Sequence, residues 1–117
     1  MTTSVLSQLE KFIEHQKDRT YPANTWLRDD EMQVYVRFGL HAISEEEVVN
    51  TLDIGNVDVF EKSQGTWTEF LLRAHEINPW VATYVECVHN ARLADWLLRR
   101  GFRPGVAPKS YYLRTGK

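Results

Sequence analysis

VVNTLDIGNVDVFEKSQGTWTEFLLRAHEI, residues 48–77, decides how this chain folds. Its first part, through Phe60, is rich in β-branched residues and reads as a long strand, with Gly55 marking a place for a bulge. Past Gly65 the period changes. Trp67, Phe70, Leu71, Ala74 and Ile77 fall on one helical face, and Asn78-Pro79 stops the helix. Gly65 between the two patterns has two readings. The backbone amides that open a helix favour an anion, glycine lets the backbone approach it, and Lys62 adds charge. Alternatively, Gly65 turns the chain and Trp67 packs on the core.

Upstream, Met32, Val34, Val36, Phe38, Leu40 and Ala42 alternate with Gln33, Tyr35, Arg37 and His41, which predicts a second long, half-buried strand. Ser44 and Glu47 between the two strands have capping-box spacing, and the same segment suits a charged hairpin connection. Val5, Leu6, Leu9, Phe12 and Ile13 predict an amphipathic helix in the segment 1–17, and a short strand is expected near residues 25–28. Downstream, residues 80–88 read as an interior strand. Asn90 caps a helix with an apolar side of Leu93, Ala94, Leu97 and Leu98, Gly101 ends it, and SYYLRT is a last strand. Helices alternating with strands in the second half require a parallel pairing beside an antiparallel first half. The expected fold is α/β: one domain over residues 1–117, with a mixed, mostly antiparallel central sheet flanked by helices.

Composition narrows the function. At 117 residues and 43% hydrophobic content, the chain buries one core. The net charge of -2 hides an asymmetry: residues 1–60 hold five Lys/Arg against eleven Asp/Glu, and residues 61–117 hold nine against five. The cationic half suits an anion or an acidic partner, while the two halves also suit each other as solvated faces. Cys87 is the single cysteine, so an intrachain disulfide and multi-thiolate zinc sites are excluded, and a lone cysteine in an apolar strand is expected in the core. The four histidines show no metal-ligand spacing, so no metal is expected. No secretory leader and no apolar run of about 20 residues is present, which predicts a cytoplasmic protein with no membrane partner. Arg92, Arg99, Arg100 and Arg103 cluster, yet overall acidity and the lack of a binding motif argue against nucleic acid.

The segment NVDVFEKSQGTWTEFLL, followed by a strand and HNARLADWLLRRGF, resembles the acetyl-CoA-binding core of the GNAT superfamily of N-acetyltransferases, most of all its small phage-encoded branch. The resemblance covers residues 32–115, leaving an N-terminal part reduced to one clear helix. It implies acetyl-CoA as cofactor, with the backbone of Val57 and Val59 along the pantetheine arm. Lys62, Ser63, Gln64, Gly65, Thr66, Trp67 and Thr68 would lie around the pyrophosphate, and Asn90 on the pantetheine. Trp67 departs from the small residue usual there, and Leu97 stands where the family commonly has a tyrosine acid.

Amine acetylation needs a group that removes a proton. Glu86 and Asp58 are the best-placed carboxylates, with Tyr84 as a candidate acid, and Glu86 has a structural alternative in pairing with an arginine such as Arg92. The expected function is acetyl transfer to an amine, with a host protein as a candidate target and the host cytoplasm as location if the chain is phage-encoded. The alternative is a protein that keeps the fold, has lost the chemistry and acts by binding a host or virion protein.

Overall fold

A computed structural model describes residues 4–19, 21–59 and 65–116. Among these, three helices and one six-stranded sheet form in the order α1 (Val5–Gln16), β1 (Ala23–Arg28), β2 (Met32–Ser44), β3 (Glu47–Val59), α2 (Thr66–Ile77), β4 (Ala82–Val85), α3 (Ala91–Arg99), β5 (Arg103–Pro104) and β6 (Tyr111–Arg114). Across the sheet the order is β1-β2-β3-β4-β6-β5. Only β3 and β4 pair in parallel, joined by the α2 crossover, and the remaining pairings are antiparallel. The sheet is therefore mixed and mostly antiparallel, as the alternation of periods requires.

The two long strands are a hairpin. Ser44 pairs with Glu47, so only Glu45 and Glu46 turn the chain, and the Ser44 hydroxyl accepts from the Glu46 amide at 3.3 Å. Of the two readings of this segment, the hairpin is the one the chain adopts. Partner counting shows one extra residue on β3 between Gly55, opposite Tyr35, and Asp58, opposite Gln33. This bulge falls just beyond the glycine that the sequence marks for it.

The period of two assigns the faces of the sheet. Val34, Val36 and Phe38 of β2, with Leu52 and Ile54 of β3 and Val85 of β4, are buried beneath Leu9 and Ile13 of α1 and Phe70, Leu71 and Ala74 of α2. Each of these side chains other than Ala74 contributes roughly 1.5–3 kcal/mol on full burial. α3 joins the same layer through Leu97 and Phe102. It ends where Phe102 N–H donates to the Leu97 carbonyl at 3.0 Å and Gly101 N–H to the Leu98 carbonyl at 3.1 Å, a closure that needs the left-handed φ of 95° at Gly101. All three helices thus cover one face. The other face carries Trp26, Tyr35, Arg37, His41, Asp53, Tyr84 and Glu86, and no described helix lies over it.

Three expectations need correction. Leu40 is 70% exposed because β2 runs on past the helical layer. Leu98 is 48% exposed, and Leu97 alone of the expected α3 stripe is fully buried. The strand expected over residues 80–88 is confined to Ala82–Val85, and β5 was not expected at all. No helix is long and apolar enough to cross a membrane among the described residues.

Candidate functional site

Regular pairing between β3 and β4 runs from Thr51 with Ala82 to Ile54 with Val85, and Glu86 N–H still donates to the Ile54 carbonyl at 3.0 Å. Beyond that point the strands part. β3 bulges after Gly55, while Cys87 takes a left-handed φ of 59° and Val88 N–H turns to the Lys109 carbonyl at 2.9 Å. The opening is a cleft of about 470 Å³, lined by Val57, Trp67, Glu86, Cys87, His89 and Asn90 together with apolar side chains of Ile54, Val85, Val88 and Leu93. Two backbone irregularities therefore create the cavity.

α2 brings its first turn to this cleft. Gly65 sits at φ 94°, a conformation in which a side chain would be strained, and its carbonyl accepts from Glu69 N–H at 2.8 Å and from the Thr68 hydroxyl at 3.1 Å. Among the described residues no side chain caps the helix start. The first amides of an α-helix lack intrahelical acceptors and carry the positive end of its dipole; of this turn Trp67 lines the cleft, whereas Thr66 and Glu69 line a separate pocket against the start of α1. Trp67 is half-buried and lies 6.1 Å from Phe70, between centroids. Its Nε1–H is buried with no acceptor among the described residues. Gly65 turns the chain and Trp67 packs against the core, as the second reading expects, and the ring also lines the cleft. Lys62, Ser63 and Gln64 lie outside the described residues. So does the side chain of Asp58, whose backbone pairs with Gln33, and that of Val59, paired with Met32.

Asn90 serves as the N-cap of α3. Its Oδ1 accepts from Arg92 N–H at 2.8 Å and Leu93 N–H at 3.2 Å, and the residue still lines the cleft. Leu97 is fully buried and contributes nothing to the cleft lining. Cys87 is exposed, which corrects its expected place in the core; the left-handed turn takes it off the strand. Arg99 pairs with Asp95 at 2.5 Å, and Arg100 lies over the Trp96 ring at 5.2 Å.

On the open face, adjoining the cleft at Glu86, the strands assemble a polar network that the sequence reading did not find. Arg37 Nε donates to Asp53 Oδ2 at 2.9 Å and its Nη2 to Glu86 Oε1. Glu86 therefore pairs with Arg37 and not with Arg92. Asp53 Oδ2 also takes His41 Nδ1 at 3.0 Å, and its Oδ1 accepts from the Thr51 hydroxyl at 2.5 Å. Burial works against the Arg37 charge, but Asp53 and Glu86 outweigh it and hold the guanidinium pKa above its ordinary value. Ligand atoms of His41, Asp53 and Glu86 lie within 4.8 Å of one another. A cation there would have to displace the Arg37 guanidinium. Tyr84, completely buried, stacks on His41 at 3.8 Å, and its hydroxyl donates to Ser110 Oγ at 2.8 Å. Burial raises the phenol pKa, the Ser110 bond opposes this, and the nearby Glu86 and Asp53 charges reinforce it. Tyr84 is thus a neutral donor already committed to Ser110.

Neither a family model nor a curated protein matches the chain. Among solved structures, a mutant AtaT toxin bound to the C-terminus of the antitoxin AtaR and acetyl-CoA is similar at 12% identity and a TM-score of 0.57, covering 74% of this chain. The fold is GNAT-like. This chain spans 59% of the length of that toxin chain. A weaker likeness is to the KacTA–DNA complex, at 18% identity and a TM-score of 0.48, over 94% of this chain and 80% of that one.

Proposed function

We propose that this GNAT-like chain binds acetyl-CoA in the cleft between β3 and β4 and transfers the acetyl group to an amine. The observation that carries the reading is the parting of the parallel pair after Ile54 and Val85, which opens an apolar-walled slot beside the start of α2. The buried Trp67 Nε1–H, which has no acceptor among the described residues, supports it, because a buried donor without a partner costs about 1–3 kcal/mol and a bound acceptor would recover this. Acetyl-CoA supplies an activated acyl group as its thioester. Backbone groups at Val57 and Val59 would align the pantetheine arm, and Asn90 would contact it. Lys62 to Thr68 would hold the pyrophosphate, with the α2 dipole adding to the Lys62 charge. Strand amides left unpaired by the splay would stabilise negative charge as it develops on the carbonyl oxygen. The acceptor reading follows the resemblance to the phage-encoded branch: an amine on a host protein, met in the host cytoplasm.

A second reading is favoured by Leu97 and Tyr84. The position of the family's tyrosine acid is a buried leucine, and the nearby phenol is spent on Ser110. A chain that binds acetyl-CoA weakly or not at all, and acts by docking on another protein, accommodates both facts.

Thermal unfolding with and without acetyl-CoA separates them. Ligand at 100 times Kd stabilises the native state by about 2.7 kcal/mol. Acetyl-CoA, and not adenosine diphosphate or acetate, is expected to raise the melting temperature. Absence of any shift at millimolar acetyl-CoA overturns the leading reading.

A further inference from the structure

We infer that His41, held by Asp53, is the base that takes the proton from the acceptor amine, and that this amine enters from the open face of the sheet against Glu86. The inference rests on the acetyl-transfer reading and assigns the half of the site that the cleft leaves unspecified.

Asp53 fixes the ring. With a side chain only 4% exposed, it has no water-facing alternative, and it accepts from Arg37, Thr51 and His41 Nδ1–H. A neutral imidazole whose Nδ1 donates keeps its lone pair on Nε2. Tyr84 stacked on the ring at 3.8 Å and 25° prevents it from turning. Nε2 then lies 3.9 Å from Glu86 Oε1, too far for a direct hydrogen bond and short enough for one donor group to sit against both. A protonated amine is such a group.

Charge agrees with that choice. Arg37 is one positive group against the two carboxylates of Asp53 and Glu86, so with a neutral imidazole the cluster carries one net negative charge. Glu86 lines the cleft and also reaches the open face, so an amine held by it stands beside the slot proposed for the thioester. The groups facing His41 are Arg37 from β2, Asp53 from β3, and Tyr84 and Glu86 from β4 and its extension.

The step balances as follows. His41 Nε2 takes a proton from R–NH3+, the freed nitrogen lone pair forms the N–C bond to the acetyl carbonyl carbon, and the C–S bond breaks with its electron pair on sulfur. The second nitrogen proton leaves as the amide forms and reaches the thiolate. The imidazolium returns its proton to solvent.

The test uses the full chain with acetyl-CoA and n-butylamine, reading thiol release. His41→Gln is expected to lower kcat about 100-fold at neutral pH, within the range of general-base effects, and to remove the acidic limb of the pH–rate profile while leaving acetyl-CoA affinity by calorimetry unchanged. The loss should shrink with an amine of low pKa, such as methoxyamine, that is already neutral. Nitrogen NMR of the parent should show His41 in the Nδ1–H tautomer, a readout independent of turnover and of any variant that fails to fold. Equal rates and profiles in parent and His41→Gln, or an Nε2–H tautomer, overturn the His41 assignment alone. A parent that neither binds acetyl-CoA nor releases thiol overturns the acetyl-transfer reading and this inference with it.

Discussion

Gly105 stands so close to Tyr84 that a Cβ placed on it would lie 3.0 Å from the phenolic oxygen, and 2.7 Å from Ser110 Oγ. The loop after β5 is thereby pressed onto the one aromatic ring that supports His41, with Gly105 N–H also donating to the Ser110 carbonyl at 2.9 Å. Gly105→Ala is expected to destabilise the fold by about 1–3 kcal/mol, the usual cost of overpacking a filled site. Urea unfolding measures it. A variant as stable as the parent would show that the loop yields freely.

Gly65→Val tests the turn before α2. A β-branched residue forced to φ 94° costs on the order of 1–3 kcal/mol, so the variant should melt at a lower temperature yet remain folded. If the first turn of α2 holds the pyrophosphate, acetyl-CoA affinity falls as well. Calorimetry on the folded variant decides, and unchanged affinity removes the turn from the site.

Asp29 ties the start of α1 to the turn between β1 and β2. Its Oδ2 accepts from Val5 N–H at 3.0 Å, and its Oδ1 from Glu31 N–H at 2.8 Å and Met32 N–H at 3.0 Å. Partial burial raises its pKa, but these three amides outweigh that, and the net shift is downward from 3.8. A carboxylate with a depressed folded pKa contributes stability that is present above the unfolded value and lost as pH falls through the folded one. Asp29→Ala should therefore cost about 1 kcal/mol at neutral pH, in line with capping substitutions, and the gap to the parent should close as the pH drops below 3.8. Melting temperatures of both proteins across pH 2–7 give the comparison.

Arg99 and Arg100 do not line the cleft and engage Asp95 and Trp96. Arg99→Glu/Arg100→Glu should lower stability by less than about 1 kcal/mol, because exposed helical pairs contribute little, and should leave acetyl-CoA affinity intact. If the chain acts by docking on an acidic protein, the same variant associates more slowly and with weaker salt dependence. A variant with parental association rates excludes these arginines from a docking surface.

Much of the fold was legible because local pattern and tertiary packing agree. The helix read over residues 66–77 is Thr66–Ile77, and the alternation from Met32 to Phe38 gave the correct buried face. Legibility failed where geometry depends on register. Arg37 and His41 were visible as residues of the non-core face, but only the offset between β2 and β3 sets Arg37 opposite Asp53, and only the parallel register sets Asp53 opposite Tyr84. Asp53, flanked by Leu52 and Ile54, carried one signal that was available: a charged residue inside a β-branched strand points away from the core and needs a partner. Cys87 escaped its expected place because a left-handed residue ended the strand early, and nothing in ECVHN announces it.

The connection pattern also orders events in time. β2 and β3 meet through a two-residue turn, so their pairing closes the shortest loop in the sheet, whereas β4 must find β3 across the α2 crossover. Loop-closure entropy places the hairpin early in folding and the β3–β4 slot late. A ligand that grips only the slot then acts after the folding barrier. Acetyl-CoA should slow unfolding while leaving the refolding rate nearly unchanged, which stopped-flow refolding and unfolding arms recorded with and without acetyl-CoA would display as a shift of one limb alone.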